Sequence, residues 1–246
     1  MSEDRSVLTR EASAPDLMLR YGPLPEHVAD AWCGDARAAV RPLVVIVHGG
    51  FWRPEYDRAH TRPMAAAIRD AGWTVASIEY SRVPGDPDAT VRDVAEALAV
   101  VPGELGGHDG RVITVGHSAG GHLVLWAAIA APAAQQAGTL ALAPVADLRL
   151  AQRLELDGGA VVDFLGADAS TRADLDPVRL PAPAGPTVLV HGVSDAIVPV
   201  TVAESYAVGQ PGSRLVAVPD AAHFAVIDPL SGAWPTVLAE LSRLGD

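Results

Sequence analysis

Short apolar runs alternate with amphipathic stretches along most of the chain, and this alternation predicts the fold. Apolar runs rich in β-branched residues, such as LVVIV at 43–47, have the length and composition of strands buried on both faces. Strands are predicted at 43–47, 74–80, 112–115, 139–145, 187–193 and 213–218, and helices at 63–71, 90–101, 122–131 and 234–244. The second of these helices is expected to stop at Pro102. Strands that alternate with helices imply an α/β fold, a mostly parallel central sheet with helices on both faces.

Two stretches depart from this alternation. Residues 16–35 hold two short apolar pieces separated by Pro23 and Pro25, which predicts an antiparallel hairpin of two edge strands. Residues 148–185 hold helix-like pieces, acidic residues and several prolines, and we expect a small lid insertion over the carboxyl edge of the sheet; a connection without contact to substrate is the open alternative. The chain, 1–246, is then a single domain in which residues 1–15 are expected to be flexible.

Composition narrows the classes of partner. The 246 residues carry a formal net charge of −12, which argues against nucleic acid and anionic membranes as partners. No apolar run approaches the roughly 20 residues that span a bilayer, and the polar start of the chain lacks the apolar region of a signal peptide, so we expect a cytoplasmic protein. The single cysteine, Cys33, has no motif around it and is expected to be incidental. The oligomeric state stays open.

The predicted strand at 112–115 leads into the sequence GHSAG at 116–120, a match to the G-x-S-x-G pattern. A strand, a tight turn and an apolar helix form the context of a nucleophile elbow, in which Ser118 stands above the carboxyl edge of the sheet. Side chains at Gly116 and Gly120 would collide with the neighbouring strand and helix. The start of the helix supplies free N–H groups that suit a developing oxyanion.

A serine nucleophile needs a base, and the base needs an acid that orients it. In this architecture the three follow in the order Ser, acid, His, which fits Ser118, Asp195 and His223. Asp195 follows the strand just before the one that precedes His223, whereas Asp147, which also ends a strand, is the rival acid. The remaining histidines are expected in other roles: His27 and His108 on the surface, His60 near a helix start, His117 and His191 as hydrogen-bonded structural groups, and His122 in the packing between helix and sheet.

The sequence HGGFW at 48–52 follows another predicted strand and suits the second part of the chemistry. Glycines let the backbone approach a ligand closely, so Gly50 and Phe51 are predicted to form the oxyanion hole together with the N–H of Ala119, with Gly49 as the alternative. His48 is expected to brace this turn through its ring nitrogens.

Aromatic residues near these motifs are candidates for the substrate pocket. Trp52 directly follows the glycine turn and is expected to line the acyl pocket, although plain packing is equally open. Phe164, in the predicted insertion, is expected to cover the site. Such walls favour a short acyl group.

From about residue 16 to its end, the chain resembles the α/β-hydrolase superfamily. HGGFW resembles the H-G-G-x-W motif of kynurenine formamidases and related small carboxylesterases, and differs from the H-G-G-G of hormone-sensitive-lipase-like esterases at Phe51. The resemblance implies Ser118, Asp195 and His223 as catalytic triad. It also implies a small-molecule acyl substrate, either N-formylkynurenine or a short acyl ester, cleaved through an acyl-enzyme intermediate.

Other functions are weighed against this one. A peptidase or thioesterase on the same fold is the first alternative, and a non-catalytic binding protein is the second, disfavoured because every triad role can be filled. The chain has no H-E-x-x-H and no paired cysteines, so no metal site is predicted. It has no G-x-G-x-x-G in the glycine turn, so no dinucleotide and no other cofactor is expected.

Overall fold

A computed structural model describes residues 3–183 and 185–246, and its centre is one eight-stranded sheet. The strand order is β1-β2-β4-β3-β5-β6-β7-β8; β2 is antiparallel to both of its neighbours, β1 and β4, and the other neighbouring pairs are parallel. The strands are β1 Leu17–Arg20, β2 Val28–Trp32, β3 Leu43–Val47, β4 Val75–Ile78, β5 Val112–His117, β6 Gln136–Leu142, β7 Thr187–Gly192 and β8 Arg214–Val218.

Helices cover both faces of the sheet. They are α1 Arg62–Asp70, α2 Pro87–Glu104, α3 Ala119–Ala130, α4 Leu148–Arg153, α5 Ala160–Leu165, α6 Thr201–Gly209 and α7 Trp234–Gly245. Side chains of α1 and α7 pack into one core, and side chains of α2 to α6 pack into the other. Within β3, Val45 and Val47 face the second core while Val44 and Ile46 face the first, because successive side chains of a strand point to opposite faces. The predicted α/β architecture is confirmed.

Three predictions about these elements are corrected. Helix α2 runs through Pro102 to Glu104, since proline fixes a φ that a helix also uses and the helix loses only one hydrogen bond near its end. Strand β6 ends at Leu142 instead of 145, because Ala143 has a left-handed φ of 44° and turns the chain out of the sheet. The hairpin of β1 and β2 is present, but only β1 is an edge strand, because β2 also pairs with β4.

The expectation of a flexible N-terminus is not met for residues 3–15, and Met1 and Ser2 lie outside the described residues. A short 3-10 helix spans Ser6–Thr9, and Val7 within it is buried in the core on the α1 and α7 side. The guanidinium of Arg10 binds the carboxylate of Asp228 with both terminal nitrogens, one of them at 3.0 Å. This end of the chain is therefore packed onto the domain.

The segment 148–185 contains α4, α5 and several 3-10 turns in its described part. Leu148, Val161, Phe164 and Leu175 within it are buried in the core with α3. Its role as a lid stays a prediction. No helix in the described part of the chain has both the length and the apolar character needed to cross a membrane.

Candidate active site

Four chemically distinctive sequences follow four strands at the same edge of the sheet. The glycine turn follows β3, Ser118 follows β5, Asp195 lies beyond β7 and His223 beyond β8. Because the strands are parallel neighbours, their carboxyl ends meet at this edge, where α/β sheets bind ligands. Ser118 and His223 line one cavity there.

Ser118 occupies a strained backbone position between β5 and α3. Its φ of 56° and ψ of −117° lie outside the regions that residues with a side chain prefer, which is the kind of strain found at functional sites. Three backbone hydrogen bonds hold it: its N–H donates to Leu142 O at 2.9 Å, and its carbonyl accepts from the N–H groups of His122 and Val145, both at 3.1 Å. The serine is buried, and these bonds fix its backbone.

The glycines on either side of Ser118 have the predicted steric reason. A Cβ added at Gly116 would lie 2.2 Å from Gly120 O, and one added at Gly120 would lie 2.0 Å from Val47 O. Strand β5, helix α3 and the end of β3 thus approach too closely for any side chain at these two positions.

Asp195 and His223 form a hydrogen-bonded pair, with Asp195 Oδ2 2.7 Å from His223 Nδ1. A carboxylate can only accept, so Nδ1 carries the hydrogen and Nε2 is left as the basic nitrogen. Asp195 Oδ1 accepts from the backbone N–H groups of Ile197 at 2.9 Å and Val198 at 2.8 Å. The acid is thus held by its own loop, and it in turn fixes the ring of His223.

Burial acts to raise the pKa of Asp195, but hydrogen bonds from His191 and His223 outweigh it and hold the pKa well below its usual range. His191 Nε2 lies 3.2 Å from Asp195 Oδ2 and 2.8 Å from Val198 O. The carboxylate is therefore charged at neutral pH and surrounded by donors. Asp147, the rival acid, lies elsewhere: it caps α4 through Leu150 N at 2.8 Å and accepts from Ser205 Oγ at 2.6 Å.

The turn after β3 has an unusual backbone. Gly50, Phe51 and Trp52 all have positive φ, at 110°, 49° and 56°. A Cβ on Gly50 would lie 2.4 Å from the side chain of Tyr56, and one on Gly49 would lie 2.7 Å from His117 O. Gly50 and Phe51 line the cavity beside Ser118.

The third predicted oxyanion donor, Ala119, is buried at the first position of α3. The N–H groups in the first turn of a helix have no partner within the helix.

His48 braces the turn, as its position suggested. Its Nδ1 lies 2.8 Å from Gly49 O and its Nε2 lies 2.8 Å from Glu79 Oε1, while its ring stacks on Tyr80 at 4.3 Å. Burial acts to raise the pKa of Glu79, but the hydrogen bond from His48 and the charge of Arg82 lower it to about 2. The turn is thus anchored to a buried carboxylate.

The cavity has a volume of about 230 Å³ and is bounded by residues from the N-terminal segment, the glycine turn, the elbow and the two loops that carry Asp195 and His223. The residues that line it are Arg5, Leu8, Gly50, Phe51, Tyr56, His60, His117, Ser118, Asp157, Ala196, Ile197, His223 and Phe224. Among the residues described, no group of three or more His, Cys, Asp or Glu side chains is arranged to hold a metal ion.

Trp52 and Phe164 do not line this cavity. Both are buried and stack on one another with ring centroids 4.5 Å apart and planes 12° from parallel, and each meets His122 edge to face. Packing, the alternative left open for Trp52, is what the structure shows. Asp157 is the member of the described insertion that reaches the cavity.

Three further histidines, His60, His117 and His122, have lowered pKa values. Burial and the neighbouring His223 hold the pKa of His117 well below its usual range, and His117 Nε2 lies 3.1 Å from His223 O. Burial, together with His48, lowers the pKa of His60 to about 4. Burial lowers the pKa of His122 to about 4, and its Nε2 lies 2.7 Å from Leu175 O, so it meets the insertion and not the sheet.

The expected surface position of His27 is wrong. The ring is buried, stacks on Tyr21 at 4.9 Å and lies 3.0 Å from Asp93 Oδ1. Its acidic partner comes from α2, far along the chain, so the polar sequence around His27 gave no sign of it.

Several cavity residues escaped the sequence analysis. Ile197 and Phe224 are close neighbours of Asp195 and His223, and that adjacency was a usable signal. Arg5, Leu8 and Tyr56 come from segments with no motif and reach the cavity only through the way the chain folds back.

The chain is similar in sequence to known proteins. Residues 30–168 match the model of the BD-FAE family. The chain is 32% identical over 129 residues to Esterase LipQ of Mycobacterium tuberculosis, covering 50% of this chain and 31% of that protein. It is 29% identical over 104 residues to kynurenine formamidase of Danio rerio, covering 42% of this chain and 35% of that protein.

The fold is shared with a solved esterase over nearly its whole length. Thermogutta terrifontis esterase 2, solved after phosphonylation by sarin, matches with a TM-score of 0.74 at 19% identity, over 94% of both chains. The predicted α/β-hydrolase fold is thereby confirmed. The chain spans less than half the length of the curated relatives it matches.

Proposed function

Because the chain belongs to the BD-FAE family, we propose that it is a serine hydrolase that cleaves small carboxylic esters or aryl formamides through an acyl-enzyme intermediate. One observation carries the proposal: His223, which is hydrogen-bonded to Asp195, lines the same cavity as Ser118, and Ser118 stands in a strained elbow. The similarity of the chain to an esterase and to a kynurenine formamidase supports the two substrate classes.

In the first half of the reaction, Ser118 Oγ attacks the acyl carbon and His223 Nε2 takes its proton. His223 becomes an imidazolium, and Asp195 stabilises it through the Nδ1–H bond of 2.7 Å. In this mechanism the tetrahedral intermediate collapses when His223 returns the proton to the leaving alcohol or amine. Ser118 then carries the acyl group.

The second half repeats the same proton movements with water. His223 Nε2 takes a proton from a water molecule, the resulting hydroxide attacks the acyl carbon, and Ser118 leaves with the proton returned by His223. The products are a carboxylic acid, or formic acid from a formamide, and the free enzyme.

Each half builds a negative charge on the acyl oxygen. We assign its stabilisation to the backbone N–H groups of Gly50, Phe51 and Ala119. The tight turn after β3 and the start of α3 lie on either side of the elbow, and pre-aimed backbone donors of this kind contribute several kcal/mol to a transition state. His48 and Glu79 support the role by holding the turn at Gly49 O.

The cavity limits the size of the acyl group. A volume of about 230 Å³ is below the usual range for drug-sized ligands, and Phe51, Tyr56, Ile197 and Phe224 give it apolar and aromatic walls. Acyl groups of about four carbons or fewer are expected to react faster than those of eight or more, because longer chains would collide with these walls. Each methylene that does fit gains only about 1–3 kcal/mol. An aromatic leaving group suits the aromatic walls.

The test is a panel of p-nitrophenyl esters of rising acyl length, assayed beside N-formylkynurenine with the wild type and Ser118→Ala. Alanine fits the elbow, so this variant is expected to fold and to lose at least about a thousandfold in kcat. A fluorophosphonate should label the wild type at Ser118, located by mass spectrometry. Full activity in Ser118→Ala, or an adduct on another residue, would contradict the nucleophile assignment.

The same panel separates the substrate classes. If acetyl esters are cleaved and N-formylkynurenine is not, the esterase function is retained and the formamidase function is excluded. Faster turnover of octanoyl than of acetyl esters would contradict the role given to the cavity walls.

A further inference from the structure

The N-terminal segment makes a bidentate contact with the loops that carry the acid and the base. Glu3 Oε1 accepts from the backbone N–H of Ala196 at 3.1 Å, and Glu3 Oε2 accepts from the backbone N–H of His223 at 3.0 Å. Ala196 directly follows Asp195. One carboxylate from the beginning of the chain thus joins the two loops next to the hydrogen-bonded pair.

These loops come from different strands and have few other links. The first follows β7 and the second follows β8, and they are joined by backbone hydrogen bonds from Val193 N to Val218 O at 3.0 Å and from Ser194 N to Ala221 O at 2.9 Å. Both of those bonds lie on the strand side of Asp195 and His223. Glu3 is the link on the far side, and it satisfies two backbone donors at the catalytic edge.

Glu3 is held in place by the residues that follow it. Val7 is buried in the core, and Arg10 binds Asp228, a few residues beyond His223. Asp4 accepts from Ser6 N at 2.9 Å and so closes the turn between these anchors. The segment is therefore built to deliver the Glu3 carboxylate to this position.

We propose that Glu3 is a positioning residue for the acid–base pair, a role that rests on the proposed hydrolase function. Its two hydrogen bonds fix the separation of the loops, and its negative charge lies beside the histidine that becomes an imidazolium during the reaction. A fixed, pre-oriented negative charge stabilises such a cation. Among the described residues, the other titratable or charged groups around His223 are Asp195, its hydrogen-bond partner, and His117, whose ring centroid is 4.6 Å away. Arg5, which lies over Phe224 at 5.5 Å, His60 and Asp157 line the same cavity.

Glu3→Gln tests the role with little change of shape. The amide has one acceptor oxygen, and its NH₂ group would face a backbone donor, so one of the two bonds is lost together with the charge. We expect kcat for a short ester to fall about three- to tenfold with KM little changed, the loss that one typical hydrogen bond entails. The acid limb of the kcat/KM profile should move to lower pH by about half a unit, because the imidazolium loses a stabilising charge. Glu3→Ala should lose as much or more.

Asp4→Asn is the matched control. It removes the same charge one residue away, from a carboxylate bonded to Ser6 and not to the catalytic loops. The amide oxygen of Asn can still accept from Ser6 N–H, so the turn that holds Glu3 is kept. It should keep the wild-type kcat and pH profile. Affinity tags belong at the C-terminus in all variants, and melting curves verify that each is folded.

Side-chain NMR of labelled histidines supplies a readout that does not depend on turnover. The titration midpoint of the His223 ring should fall in Glu3→Gln and stay unchanged in Asp4→Asn. Unchanged kcat and an unchanged midpoint in Glu3→Gln, or equal losses in the two variants, would overturn the proposal for Glu3. A wild type that cleaves no ester or formamide while the midpoint still shifts would overturn the hydrolase function and leave the electrostatic contact in place.

Discussion

At the scale of single residues, Asp195 and Asp147 separate by their partners. Asp195 accepts hydrogen bonds from Ile197, Val198 and His223, and its Oδ2 lies 3.2 Å from His191 Nε2. Asn at this position would turn an NH₂ group toward donors on one side and would neither fix the histidine tautomer nor stabilise the imidazolium. We expect Asp195→Asn to lower kcat by about a thousandfold or more, measured with a short p-nitrophenyl ester.

Asp147→Asn is the control for that prediction. Asn caps helices about as well as Asp, and the NH₂ group that replaces Oδ2 can donate to Ser205 Oγ. We therefore expect less than about a threefold change in kcat. Similar large losses in both variants would leave the acid unassigned.

The residues that sequence analysis could predict are those placed by a strand end. Ser118, Asp195, His223 and Gly50 each follow an apolar run, so the edge at which they meet follows from the parallel order of the sheet. Glu3 could not be predicted this way, because its contacts depend on the path of a segment without periodicity.

Aromatic residues were also beyond the pattern. Trp52 follows the glycine turn as closely as Phe51 does, yet only Phe51 faces the cavity while Trp52 stacks on Phe164 in the core. The sequence shows that an aromatic residue is near a motif. It does not show in which direction the side chain points when consecutive residues have positive φ.

At the scale of elements, the close approach of α3 to the sheet gives a direct prediction. A Cβ on Gly120 would lie 2.0 Å from Val47 O, which is backbone and cannot move aside cheaply. Gly120→Ala is expected to destabilise the fold by at least about 3 kcal/mol, and to lower the melting temperature by about 6 °C or more. Calorimetry or circular dichroism measures this, and low soluble yield would point the same way.

Gly103→Ala is the matched control within a helix. Gly103 is exposed near the end of α2, and nothing lies within 4 Å of an added Cβ. Alanine favours a helix over glycine by about 1 kcal/mol, so stability should stay the same or rise. If both variants had the melting temperature of the wild type, the elbow would have space for a side chain at position 120, which contradicts the predicted clash.

Periodicity predicted most elements but not their ends. The strands β3, β5 and β7 were found because buried parallel strands are continuously apolar. The end of β6 was missed because Ala143, a residue that favours no turn, takes a left-handed φ of 44° in the fold.

At the scale of the whole molecule, a buried ionic network supports the catalytic edge from behind. Glu79 accepts from His48 at 2.8 Å and from Arg58 N at 3.1 Å, and it also pairs with Arg82. Arg58 extends the network to Asp30 at 2.9 Å. The network connects the glycine turn to β2 and β4. The stability of the fold and the geometry of the turn therefore both depend on the Glu79 carboxylate.

The pH dependence of stability follows from that carboxylate. The pKa of Glu79 falls from an ordinary 4.5 to about 2 in the folded protein, so the unfolded chain takes up its proton first as the pH falls. The contribution of Glu79 to the free energy of unfolding, up to about 3 kcal/mol, is present above about pH 4.5 and is lost progressively toward pH 2.

In urea unfolding at pH 7, 5, 4 and 3, Glu79→Gln should be less stable than wild type at pH 7 and lose less stability between pH 5 and 3. Glu104→Gln, which changes an exposed carboxylate at the end of α2, should follow the wild-type curve. Parallel curves for wild type and Glu79→Gln over this range would mean that the carboxyl group titrates alike in the folded and unfolded states, contrary to its burial among His48, Arg58 and Arg82.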